Sequence, residues 1–221
     1  MIRDNLLRVL DEIESARRKN QSPPVKLVAV TKTHPVEMMR EAIDCGVTDI
    51  GENRIQEAVG KFETLDRNVV KHLIGHLQTN KVKQAVRHFD LIQSIDSRHL
   101  ALAVDRAALA IDKVQDVLIQ VNLAREEQKS GVDVEELEPL IETIEHCNNL
   151  RLRGFMMIAP NCEDVEQCRP LFKQMYRLFL RQREMHPTIE HLSMGMTHDY
   201  KIAIEEGADI VRIGTAIFGA R

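Results

Sequence analysis

The stretch VAVTKT, residues 28–33, decides the fold. Val28, Ala29 and Val30 run apolar without alternation, as a strand buried on both faces does. The run stops on Thr31, Lys32 and Thr33, and Pro35 breaks the pattern just beyond. An amine therefore stands where a buried strand ends. Outward from this stretch, similar short apolar runs recur: KLVAVT (26–31), TDIGE (48–52), KHLIG (71–75), LIQSI (91–95), VLIQVNL (117–123), LRGFMMI (152–158), IEHLSM (189–194) and IVRIG (210–214). Between them lie PVEMMREAIDCG (35–46), NRIQEAVGKFETL (53–65), HLALAVDRAALAI (99–111), DVEELEPLIETIEHC (133–147) and VEQCRPLFKQMYRLFLRQRE (165–184). There the apolar residues recur every three or four positions, the mark of a helix with one buried face.

Eight strand–helix units spanning 26–214 give the count of a (β/α)8 barrel of the TIM type, with an extra N-terminal helix at 1–20. A doubly wound open sheet also uses alternating units, but eight without a domain break favour closure. One domain, 1–221, is expected. Local signals agree. Pro35 suits a first helical turn, Gly46 a position just past a helix end, and Asn53 with Gln56 a capping box.

Composition narrows the function classes. Hydrophobic residues make up 43% and charged residues 29%, with a net charge of −4, which fits a soluble globular protein. There is no Lys/Arg block, and aromatic residues are only 4%, so neither a nucleic-acid face nor base-stacking platforms are expected. Cys45, Cys147, Cys162 and Cys168 form no CxxC pair, which suits a reduced, cytoplasmic setting. No stretch has the apolar length of a membrane span, and the N-terminus lacks a signal-peptide pattern.

In such a barrel the active face lies at the C-terminal strand ends. SMGMT (193–197) and RIGTAIFG (212–219) each set Ser or Thr beside Gly after strands seven and eight. That pair of turns is the usual phosphate site of the fold, though Gly and Ser also mark ordinary turns. Lys32 is either a solvated lysine or a buried, reactive amine able to form a Schiff base with an aldehyde. With a phosphate site across the same mouth, pyridoxal 5′-phosphate (PLP) is the economical ligand; a sugar-phosphate aldolase satisfies the same logic. Arg212, two residues before Gly214, faces the same side. Against a pyridine nitrogen its charge would keep that nitrogen unprotonated. His72 and His76, with Glu52, are a weak metal candidate, and an ordinary histidine pair is simpler.

AVTKT (29–33), GENRIQE (51–57), HLIGHLQTNK (72–81), SGVD (130–133), GFMMIAP (154–160) and LSMGMTHDYKIAIEEGADIVRIGTAIFGAR (192–221) resemble the pyridoxal phosphate homeostasis protein family, related to the barrel domain of alanine racemase. The resemblance implies a (β/α)8 barrel binding PLP at its mouth, with Lys32 holding it as an internal aldimine. It places Ser193, Gly214 and Thr215, with backbone of Gly195 and Met196, around the phosphate. Arg212 falls near the pyridine nitrogen and Asn53 near the ring. Where the family pattern often has Ser, this chain has Thr197, and Thr31-Lys32-Thr33 replaces a Ser-Lys-Thr; both changes keep a hydroxyl.

A racemase needs two bases, one on each face of the cofactor. Lys32 is one; the only tyrosines are Tyr176 and Tyr200, the first on an outer helix and the second of unassigned direction. The resemblance points the same way: it implies a PLP carrier or regulator of vitamin B6 and of amino- and keto-acid balance. It would be monomeric and would exchange PLP with dependent apoenzymes. The alternative is an amino-acid racemase or Schiff-base aldolase.

Overall fold

The computed structural model describes residues 1–19, 21–124 and 130–219. Eight parallel strands close in sequence order: β1 Lys26–Val30, β2 Asp49–Glu52, β3 Val70–Leu73, β4 Leu91–Ile95, β5 Gln115–Gln120, β6 Leu150–Met156, β7 His191–Met196 and β8 Ile210–Ile213. β8 pairs with β1, setting Lys26 opposite Ile210 and Ala29 opposite Ile213, so no edge strand remains. Helix α1 (Ile2–Lys19) precedes β1. Then α2 (Val36–Asp44), α3 (Ile55–Phe62), α4 (Val82–His88), α5 (Arg98–Leu109), α6 (Leu137–Glu145), α7 (Arg169–Met185) and α8 (Tyr200–Glu205) connect successive strands. The short α9 (Thr215–Phe218) follows β8. This is the barrel with an extra N-terminal helix that the strand count predicts.

Strand alternation divides the core. Val117 and Ile119 of β5 pack outward with the helices, whereas Leu118 packs inward in a separate cluster with Leu91 and Met156. Helix α1 buries Ile2, Leu6, Val9, Ile13 and Ala16, a stripe at three- and four-residue spacing. At about 1.5–3 kcal/mol for each large aliphatic side chain, that stripe makes α1 an integral part of the fold. Asn5 Nδ2 ties it to the carbonyl of Ile217 at 3.0 Å.

Two local expectations shift. Asn53 does not cap α3; Arg54, at φ −122° and ψ 122°, precedes its first residue. The cause is tertiary. The Asn53 backbone packs on Gly75, where a Cβ would stand 2.3 Å from Asn53 O. Pro35 precedes α2 as its N-cap rather than occupying the first turn. Gly46 does follow the α2 C-cap, at φ 106°. Between β7 and β8 the register slips, so that Ser193 pairs with Ile210 but Met196 with Arg212. Three steps on β7 thus match two on β8, a bulge that redirects the chain after Gly195.

Candidate functional site

A cavity of about 240 Å3 opens at the C-terminal strand ends, lined by Val30, Lys32, Asn53, Ile74, Ile158, Met196, Thr197, His198, Arg212, Gly214 and Thr215. Lys32 enters from the end of β1, Asn53 from the end of β2, and Gly214 and Thr215 from the end of β8. Apolar walls with a few converging polar groups are the usual make-up of a small-ligand site. Asn53 Oδ1 is buried without a hydrogen-bond partner. A larger outer groove of about 460 Å3, lined by Arg98, Asp105 and His146 among others, lies on the helical shell at α5 and α6, away from the strand ends.

The most deeply buried cation at the cavity is Arg212, 3% exposed. Its Nη1 donates to Ser193 Oγ at 2.7 Å and its Nη2 to the Met157 carbonyl at 2.8 Å. Burial brings its pKa down to about 10, which still leaves it charged at neutral pH. Behind it a polar chain crosses the barrel interior. Ser193 Oγ donates to Gln93 Oε1 at 2.7 Å. Gln93 Nε2 lies 2.9 Å from His72 Nδ1, and His72 Nε2 lies 2.8 Å from Asp49 Oδ1. Because Gln93 Oε1 already accepts from Ser193, its amide N–H donates to His72 Nδ1, and His72 Nε2–H then donates to Asp49. Every donor points the same way, from the guanidinium to the carboxylate. Burial alone would raise the Asp49 carboxyl, but hydrogen bonds from His72 and Thr48 outweigh it and hold the group below the ordinary range.

Beside Lys32, Thr33 adopts φ 65°, a region that β-branched residues avoid. Lys61 Nζ donates to Thr31 O at 2.8 Å, Glu52 Oε1 at 2.8 Å and Glu57 Oε1 at 2.6 Å. Glu52, fully buried, also accepts from Thr31 Oγ1 at 2.7 Å; burial pushes its carboxyl up despite these partners.

Of the residues singled out in the sequence, Lys32, Asn53, Met196, Arg212, Gly214 and Thr215 share this cavity; Ser193 and Gly195 are not among its lining. The Ser193 hydroxyl is committed between Arg212 and Gln93. Gly195, at φ 96°, is where a Cβ would stand 2.6 Å from Ala203 Cβ, so it admits α8 against β7. The Met196 N–H already donates to Asp199 Oδ1 at 2.6 Å. Sequence reasoning missed His198 as a wall residue. It lies in the turn between β7 and α8, and a strand pattern carries no signal for where such a turn points.

The two tyrosines point elsewhere. Tyr200 is 3% exposed and its hydroxyl donates to Glu12 of α1; burial and that carboxylate push its pKa up. Tyr176 stacks on Phe179. His72, His76 and Glu52 do not meet: His72 holds Asp49, His76 lies 3.4 Å from Asp96, and Glu52 pairs with Lys61. Among the described residues no cluster of three or more His, Cys, Asp or Glu could hold a metal ion. No described helix is long and apolar enough to cross a membrane.

Residues 5–221 match the family model described as "Alanine racemase, N-terminal domain". A pyridoxal phosphate homeostasis protein of Aquifex aeolicus is 44% identical over 99% of this chain and 97% of its own length. PipY of Synechococcus elongatus, in a structure with PLP bound, is 34% identical at a TM-score of 0.87, over 99% of this chain and all of that one. An alanine racemase of Clostridium difficile shares the fold at a TM-score of 0.77 with 14% identity, covering 99% of this chain and 57% of that one. A full-length relative at this identity and a barrel mouth assembled from the ends of β1, β2 and β8 lead to one assignment: the chain belongs to the pyridoxal phosphate homeostasis protein family, within the alanine racemase N-terminal domain group.

Proposed function

We propose that this chain is a PLP-binding carrier and regulator that holds the cofactor through Lys32. The observation that carries the proposal is the convergence of Lys32, Asn53, Arg212, Gly214 and Thr215 on one cavity, in a family with a PipY structure that has PLP bound. The residues fit the group chemically. PLP supplies an aldehyde, a phosphate and a pyridine ring, which in enzymes acts as an electron sink. Lys32 would hold the aldehyde end through its amine, with the aldehyde oxygen released as water. Thr215, with the backbone of Gly214, takes the phosphate end. Asn53 would line the cavity beside the ring. Arg212, a fixed cation, would disfavour protonation of a ring nitrogen placed against it. Ser193 serves by holding Arg212 rather than by touching phosphate. In this account the chain acts as one 1–221 barrel domain, monomeric and cytoplasmic, and exchanges PLP with dependent apoenzymes.

The placement of Tyr200 favours carrier over racemase. Its hydroxyl is tied to Glu12 on α1, not aimed at the cavity across from Lys32. A second base on the opposite face is what racemisation requires. Incubation of the PLP-loaded protein with single L-amino acids separates the two readings. Loss of optical activity at the rate given by free PLP is the expected result. Sustained turnover well above that background overturns the carrier assignment.

A further inference from the structure

Lys32 is held from behind by a group of charges that does not line the cavity. The ammonium of Lys61 spends its three donors on Thr31 O, Glu52 Oε1 and Glu57 Oε1, its full complement. Glu57 Oε1 also accepts the backbone N–H of Thr33. Glu52 Oε1 accepts the Thr31 hydroxyl. The carbonyl before Lys32 and the N–H after it are thus each gripped by one member of a single ion cluster. Thr33 sits at φ 65°, an unfavourable conformation for a β-branched residue, which persists where the surroundings over-determine it. Here the surroundings are the Glu57 carboxylate and the turn bond from the His34 N–H to the Thr31 carbonyl at 3.1 Å.

We propose that Lys61, Glu52 and Glu57 are positioning residues, which fix the main chain on both sides of Lys32 and so aim its amine at an aldehyde in the cavity. The inference rests on Lys32 being the group that bonds PLP. A cluster that merely ties α3 to the strand ends would support every ligand of the cavity alike. A cluster that aims Lys32 matters only to a ligand that bonds the amine. Pyridoxine 5′-phosphate, which carries an alcohol in place of the aldehyde, makes that distinction.

The test uses the full chain with Glu57→Ala, since this side chain is 26% exposed and its loss opens no deep cavity. Affinities for PLP and for pyridoxine 5′-phosphate are measured by titration calorimetry. PLP affinity is expected to fall by about tenfold, equivalent to about 1.4 kcal/mol, with pyridoxine 5′-phosphate affinity unchanged. Glu57→Gln keeps an oxygen for the Thr33 N–H and is expected to recover most of the loss. Glu57→Asp withdraws the carboxylate from Thr33 while keeping its charge, and serves if the alanine variant does not fold; the same PLP-selective loss is expected. Equal losses for both ligands, or no loss for PLP, overturn the proposal. Failure of the wild-type protein to bond PLP at all is a different outcome. It removes the carrier reading itself, and with it the role assigned to the cluster.

Discussion

Ser193→Ala separates two roles for the hydroxyl beneath the cavity. Ser193 Oγ accepts from Arg212 Nη1 and donates to Gln93 Oε1, both at 2.7 Å, at a residue with no solvent exposure. Removing it leaves a guanidinium N–H and an amide oxygen without partners. Each buried group so orphaned costs about 1–3 kcal/mol, more for a charged one, so the apo protein should lose about 2–6 kcal/mol. Against the roughly 5–15 kcal/mol of a typical domain, the variant still folds, with a lowered urea midpoint. The assay is urea denaturation of wild type and variant, both stripped of PLP. A hydroxyl that instead contacts phosphate would leave the apo midpoint in place and weaken only PLP binding. An apo loss below about 0.5 kcal/mol, the range of an ordinary surface change, refutes the placement of Ser193 as the support of Arg212.

Thr215→Val should weaken PLP retention by about tenfold, the scale of one lost hydrogen bond to a charged group, without moving the apo denaturation midpoint; unchanged affinity puts the phosphate elsewhere. For Asp49, whose folded pKa lies below the ordinary aspartate value of 3.8, the stabilising ionisation is fully present above about pH 3.8 and is lost as pH falls through the folded pKa. Asp49→Asn should therefore flatten the acid limb of the stability–pH curve, and an unaltered limb argues against the His72 and Thr48 bonds as its cause. Tyr200→Phe should cost about 1 kcal/mol in apo stability through the Glu12 bond and leave PLP affinity in place. A tenfold change in that affinity would contradict the outward direction of the hydroxyl.

The barrel was legible because its strands are short, largely apolar runs, most of them closed by polar residues or glycine, and all eight runs became strands within a few residues of their sequence bounds. Lys32, Arg212 and Gly214 were legible because strand ends in this fold converge. Helix α4 was not, since only Val82, Ala85 and Val86 are buried on it and a 3-10 turn at Thr79–Lys81 precedes it. The Asp49–His72–Gln93–Ser193–Arg212 chain was invisible for another reason. Its members are ordinary inward residues on separate strands, and Gln93 meets Ser193 across 100 positions only once the barrel closes. His72 instead looked like a partner of His76, because their spacing keeps to one side of a strand; β3 ends at Leu73, before the second histidine. Asn53 read as a helix cap from its neighbours alone, whereas its backbone answers to Gly75.

The central claim is that Lys32 bonds PLP, and an absorbance spectrum tests it most directly. Wild type and Lys32→Ala are incubated with PLP, freed of unbound ligand and scanned, then reduced with borohydride and digested. The account predicts a near-visible Schiff-base band in wild type alone, with the pyridoxyl label on the peptide that carries Lys32. A wild-type protein without that band, or a Lys32→Ala protein that keeps it, contradicts the account.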